Sequence, residues 1–213
     1  MATGPLTQHA NKGQDACTCN AWRCACEAVN DYDLGANLRR QILDDMERGL
    51  ASDGRRLQAL VGDFCGDEKA IQTVCDARPE IISHNMETVK RMHPAVRPQA
   101  RYERSLAVLK QFKAAGLVTK TGIMVGIGEH DDEVLELMDD VQAASQADVL
   151  TVGQYLQPTR NHLPIHRWVH PDQFAMFKQQ ALTRGFKVCE SGPLVRSSYH
   201  ADEQADMLSL IKR

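Results

Sequence analysis

No apolar run in this chain approaches the roughly 18 residues that a bilayer-crossing helix needs, which argues against membrane insertion. Residues 1–14 carry a lone Lys12 and no apolar stretch, so a secretory leader is not expected and a cytoplasmic location is the default. There is no excess of positive charge either: the net charge is −3, with the two signs interspersed, and this argues against a protein that tracks nucleic-acid phosphates. Internal repeats and low-complexity linkers are absent as well. What is present is the balance of an ordinary soluble protein, 43% hydrophobic and 25% charged residues. At 213 residues the chain is long enough for one domain with a sizeable core and too short for two.

Seven cysteines without an export signal point away from disulfides and toward metal binding, redox chemistry or burial. Cys17, Cys19, Cys24 and Cys26 crowd into ten residues and form the metal candidate. Three nearby thiolates can hold three irons of a cubane and leave one iron open to a small chelating ligand. Four can close a structural zinc site, although the Cys-x-Cys pairs are tighter than the gaps usual in zinc knuckles. Cys75 falls on an apolar helical face and reads as core, and Cys65 and Cys189 are read the same way.

Residues 1–30 lack apolar periodicity and read as an irregular, Cys-rich segment, so the ordered domain is expected over 31–213. From Asp31 onward helical and strand patterns alternate. Leu38, Ile42, Leu43 and Met46 share a helical face ended by Gly49, and Leu57 to Val61 is strand-like. A helix with Ala70, Ile71, Val74 and Cys75 precedes Ile81-Ile82. A second helix, through Tyr102, Leu106, Leu109 and Phe112, stops at Gly116. Thr121 to Ile127 and Val149 to Val152 read as strands covered on both faces. Between them a helix opens on Asp131, Asp132 and Glu133, where acidic groups suit the dipole, and a last helix runs from Pro171 to Gly185. This alternation predicts an α/β protein with a parallel sheet, either doubly wound or a (β/α) barrel. Asp63, His84, Asn85, Glu129, Gln154 and Gln157 follow strand ends, as the rim of a barrel site would.

Gly126-Ile127-Gly128 lies between a strand and a helix, but Asp131 stands where a dinucleotide loop needs its third glycine, and the acidic helix start would repel a pyrophosphate. Small residues there let a flat ligand approach the backbone, with Glu129 placed to accept from an amine or hydroxyl, or else form a plain tight turn. Gly153 to Pro164 packs two amides, a phenol, a guanidinium and an imidazole between prolines, a density that suits a site or a rigid surface turn. Ser191 to Asp202 holds a turn and two hydroxyls beside a cation. It reads as a phosphate loop, an oxygen donor to a metal, or a polar tail.

Four segments in order resemble lipoyl synthase, a family of radical S-adenosylmethionine (SAM) enzymes. They are Ser83-His84-Asn85-Met86-Glu87-Thr88-Val89, Thr119 through Glu129, Gly153-Gln154-Tyr155-Leu156-Gln157-Pro158, and Gly192-Pro193-Leu194-Val195-Arg196-Ser197-Ser198-Tyr199. The resemblance runs from about Asp31 to about Ala205. It implies a partial (β/α) TIM-like barrel of the radical SAM type, two [4Fe-4S] clusters and SAM as cofactors, and insertion of two sulfurs into a protein-bound octanoyl chain. It further implies octanoylated carrier domains, of the lipoyl or glycine-cleavage H type, and a ferredoxin or flavodoxin reductant as partners. Asn85, Lys120, Glu129, Gln154 and Arg196 match motif positions facing the SAM and substrate pocket, with no catalytic side chain singled out. Ser198 matches the serine ligand of the cluster consumed as the sulfur source, and an alkoxide is a weaker iron ligand than a thiolate.

The cysteine spacing departs from the family's two triplets. Cys19-x4-Cys24 opens the auxiliary triplet, whose third position falls on Asn30, while Cys19, Cys24 and Cys26 span the length of the SAM triplet with the middle residue displaced. Little sequence separates Cys26 from the resemblance at Asp31, so N-terminal barrel strands are expected to be missing, through truncation or a frame disruption. Two other readings stand beside the enzyme: a non-catalytic remnant that binds octanoyl or lipoyl carrier domains, and a small zinc-binding α/β protein.

Overall fold

The computed structural model describes residues 58–196, together with Arg40 and Asp44. The helix read through Leu38 and Met46, and residues 1–30, lie outside these. In chain order the elements are β1 (Gln58–Leu60), a 3-10 turn (Phe64–Gly66), α1 (Glu68–Asp76), β2 (Ile81–Ser83), a short α2 (His93–Val96) and α3 (Tyr102–Ala114). Then follow β3 (Val118–Val125), α4 (Asp131–Ser145), β4 (Val149–Gln154), α5 (Pro171–Thr183) and β5 (Val188–Gly192).

Local chemistry sets the boundaries. Asp67 caps α1 by accepting from the Lys69 and Ala70 N–H groups. Gly116, at φ +76°, ends α3 in the left-handed conformation, and its N–H and that of Leu117 return to the Lys113 and Phe112 carbonyls. At the start of α4 the Glu133 carboxylate accepts from the His130 N–H at 2.7 Å, closing a capping box at an acid-rich first turn.

The five strands pair in parallel in the order β1-β2-β3-β4-β5, which is also their order in the chain. A doubly wound sheet reverses its strand order at a switch point; this one does not, and it is an α/β partial barrel of the TIM type. Along β3 to β5 alternate side chains face opposite ways. Ile82, Ile123, Val125, Leu150, Val152 and Cys189 meet Leu109, Phe112, Met138, Phe174 and Phe177 of the helices in one core. Among the described residues the other face carries a single apolar cluster, Ile81, Val118, Val149 and Val188, with no helix residue in it. This face, helix-free among the described residues, is therefore where a site has room.

The structure shifts several sequence expectations. Strand β3 begins three residues before Thr121 and ends two before Ile127, because it must span both the apolar plug and the polar level above it. Strand β4 runs on to Gln154. Strand β5 was not anticipated: Val188-Cys189-Glu190-Ser191-Gly192 has too few apolar residues to read as a strand, yet its ladder with β4 is continuous. Cys65 is not core. It sits exposed in the 3-10 turn at φ 51°.

Candidate functional site

The helix-free face is built in levels. The Ile81–Val118–Val149–Val188 plug closes the bottom. Two residues further along the strands stand Ser83, Lys120, Thr151 and Glu190, and two further still come Gly122, Gly153 and Gly192. Three consecutive strands thus carry the same device, a polar residue followed at i+2 by glycine: Lys120-x-Gly122, Thr151-x-Gly153 and Glu190-x-Gly192. The polar residues form a ledge, and the glycines clear the space above it. A Cβ on Gly122 would lie 2.5 Å from Thr151 Oγ1 and 3.0 Å from Asn85 Oδ1, so glycine here admits both side chains. A Cβ on Gly153 would strike the Val195 carbonyl of the turn that follows β5. Backbone cannot yield as a side-chain end can. Gly153→Ala is therefore expected to break the Val195 N–H bond to the Gly192 carbonyl, read as faster amide exchange at Val195.

Lys120 is fully buried, its Nζ 3.4 Å from Gln58 Oε1. Burial pulls the ammonium down to about 8, partly offset by the Glu190 charge. Above the ledge β2 continues past a bulge: the Glu87 N–H donates to the Gly122 carbonyl and Met124 N–H to that of Glu87. Asn85 Nδ2 donates to Glu87 Oε1 at 3.0 Å, and Arg97 holds the Asn85 carbonyl at 2.8 Å. Burial pushes the Glu87 carboxyl up, against the Asn85 bond and the Arg97 charge. Asn85 Oδ1 and Ser83 Oγ are buried and unpartnered. Buried polar atoms left this way are costly, and both fit a ligand that brings its own donors.

The remaining matched residues do something different. Glu129 is 4% exposed, and its carboxylate accepts the N–H groups of Gly126 (2.7 Å), Ile127 (3.0 Å) and Gly128 (3.1 Å), with Arg167 Nη2 at 3.4 Å. It shapes its own loop from within. The Gln154 amide is likewise engaged: Nε2 donates to the Arg167 carbonyl and Oε1 accepts from the Val169 N–H at 2.9 Å, fastening the 155–170 segment to the end of β4. Arg196 is exposed, with Nη1 on the Val195 carbonyl at 2.7 Å. The structure thus brings Asn85 and Lys120 to the helix-free face, Glu129 and Gln154 to its rim, and Arg196 to the turn over Gly153.

Cys19, Cys24, Cys26 and Ser198 lie outside the described residues. Cys75 and Cys189 are buried on the helix side, where burial raises their thiols to about 11 and about 12, so neither serves the open face. Among the described residues no three His, Cys, Asp or Glu side chains gather to hold a metal ion. The described face has the chemistry for the organic part of a ligand; iron ligands would come from outside it. Sequence reasoning missed Ser83, Thr151 and Glu190, although the repeated polar-x-Gly spacing was there to be seen.

The profile of the Radical SAM superfamily matches residues 27–141. A lipoyl synthase of Parabacteroides distasonis is 55% identical over 147 residues, covering 69% of this chain and 52% of that protein. The lipoyl synthase of Shouchella clausii is 50% identical over 152 residues (70% and 49%), and that of Phocaeicola vulgatus 47% over 171 residues (80% and 59%). The chain spans about half the length of the curated relatives it matches.

Proposed function

This chain belongs to the radical SAM superfamily, and from that premise we propose that it acts as a lipoyl synthase, inserting two sulfurs into a protein-bound octanoyl chain. One observation carries the reading: a polar ledge of Ser83, Lys120, Thr151 and Glu190, the first three buried, cleared above by glycines on three adjacent strands, with Ser83 Oγ and Asn85 Oδ1 left unpartnered. An apolar barrel interior would need neither. Superfamily membership implies SAM and a [4Fe-4S] cluster, which when bound supply a carbon-centred radical able to take hydrogen from an unactivated C–H bond.

The chain's own side chains bind and orient. Asn85 Oδ1 and Ser83 Oγ accept from hydroxyl or ammonium donors of SAM. Lys120 places a cation, or a proton near neutrality, at the floor of the site. Glu129 and Gln154 hold the rim in shape, and Arg196 lies at the turn bordering it. In this reading Cys19, Cys24 and Cys26 hold one cluster and Ser198 a ligand position of a second, sacrificial one. The partners are an octanoylated lipoyl or H-type carrier domain and a ferredoxin or flavodoxin, in a cytoplasmic setting.

The test is anaerobic reconstitution with iron and sulfide, then SAM, reductant and an octanoylated carrier domain. The reading expects 5′-deoxyadenosine and a sulfur-bearing carrier; iron uptake with neither product contradicts it. Asn85→Ala is expected to weaken S-adenosylhomocysteine binding about tenfold, the worth of one hydrogen bond, measured by calorimetry.

A further inference from the structure

Among the described residues five large apolar side chains are exposed, and three of them belong to segments attached at the C-terminal end of β4. Leu156, 46% exposed, lies two residues beyond the strand. Trp168, 70% exposed, stands between Arg167, whose carbonyl accepts from Gln154 Nε2 at 3.1 Å, and Val169, whose N–H donates to Gln154 Oε1 at 2.9 Å. Leu194, 80% exposed, belongs to the turn that brings the Val195 carbonyl against Gly153. The backbone under Trp168 is held firmly. One buried amide clamps it on both sides, the His166 N–H donates to the Gly126 carbonyl at 2.8 Å, and the Tyr155 hydroxyl donates to the Leu163 carbonyl at 2.8 Å. A large amphipathic ring offered to water from a fixed base can anchor a partner with little further ordering of the chain.

Charge selects the kind of partner. The chain as a whole carries −3, yet residues 149–171 contain no Asp or Glu. Arg160 and His166 are exposed in that stretch, and Arg196 is exposed beyond β5. Of the acids that open α4, Asp131 is matched by Arg167 and Glu133 by Arg91, which leaves Asp132 exposed. We propose that Trp168, together with Leu156 and Leu194, anchors a docking surface for a folded, acidic carrier protein that bears the acyl chain. The inference rests on the functional reading above and adds to it the place and the chemistry of the contact. Gly153 and Gly192 clear the space above the ledge, and the three apolar side chains leave the chain beside them, so a carrier seated there delivers its acyl group to the open face. The basic rim steers an acidic surface toward that seat and repels a basic one.

The experiment measures, by calorimetry on the full chain, the affinity for an octanoylated H-type carrier domain and for a tripeptide centred on octanoyl-lysine. Trp168→Ala is expected to bind the carrier about tenfold or more weakly, while its affinity for the tripeptide changes by less than about twofold. Arg160→Glu weakens carrier binding at low salt by about threefold or more, and added salt narrows the difference. Leu182→Ala, which trims an exposed leucine at the far end of α5, leaves both affinities as they were. In a Trp22→Phe background Trp168 is the sole tryptophan, and its emission moves to the blue when the carrier is added. Carrier affinity unaltered by Trp168→Ala, or equal losses for carrier and tripeptide, overturns the inference and leaves the functional reading intact. If the parent chain binds neither probe, the functional reading falls and the docking role with it. A blue shift with anionic phospholipid vesicles but not with the carrier makes the surface a lipid contact, and this too overturns the proposal.

Discussion

Asp148→Ala is expected to destabilise the protein by about 3 kcal/mol, the scale for removing one partner from a buried ion pair. Asp148 is 2% exposed at the entry to β4, and one carboxylate gathers three partners: Lys113 Nζ at 2.7 Å, Lys187 Nζ at 2.8 Å and the Thr119 N–H at 3.0 Å. These come from the end of α3, the approach to β5 and the start of β3. A single side chain thus joins three strands at the plugged end of the barrel. Burial alone would raise its pKa, but the two lysines and the Thr119 amide overcome that and hold it below the ordinary range. The contribution is therefore present above the unfolded value and fades as pH falls through the lower folded one. Asp148→Asn keeps an acceptor for Thr119 and loses the charge, so it is expected to cost less than alanine. Urea midpoints of the three proteins check the order; an alanine variant within about 0.5 kcal/mol of the parent, the range of ordinary surface changes, contradicts it.

The second large effect is a loss of stability in mild acid, centred on His84. This ring is 1% exposed, with Nδ1 at 3.0 Å from the Val61 carbonyl and Nε2 at 3.0 Å from Ser105 Oγ. A carbonyl only accepts, so Nδ1 carries the proton and Nε2 accepts from the serine. Burial, reinforced by the nearby Arg97 charge, lowers the imidazole to about 4, although the Val61 bond opposes this. The native state therefore holds a neutral ring that the unfolded chain protonates near pH 6.5. Its contribution is full above that pH and is lost as pH falls toward 4, on the order of 3 kcal/mol in all. Urea unfolding at pH 7 and pH 5 should differ by about 2 kcal/mol, and His84→Gln, which cannot titrate, should flatten the difference. An unaltered slope in that variant would place the acid sensitivity elsewhere.

Much of this architecture was legible in the residues. The helix starts at Asp131 and Pro171 and the stops at Gly116 and Gly185 follow from capping chemistry, and the apolar strand patterns fixed a parallel sheet. Strand order then decided between the two α/β arrangements that pattern alone left open. Strand β5 was hidden because Glu190, Ser191 and Gly192 replace the apolar alternation by which strands are recognised: Glu190 belongs to the polar ledge, Gly192 clears the space above it, and Ser191 turns the other way to donate to the Phe174 carbonyl of α5. The roles of Glu129 and Gln154 were hidden for a different reason. A sequence shows a carboxylate and an amide at a rim, but not that three loop N–H groups turn toward the one and a distant segment fastens to the other.

NMR mapping of S-adenosylhomocysteine onto the chain tests whether the helix-free face holds the ligand. Shifts are expected to cluster at Asn85, Lys120, Gly122, Thr151 and Gly153, with the Cys75 and Phe177 surroundings on the helix side unmoved. Saturating ligand that perturbs none of these positions, or perturbs the helix side instead, contradicts it.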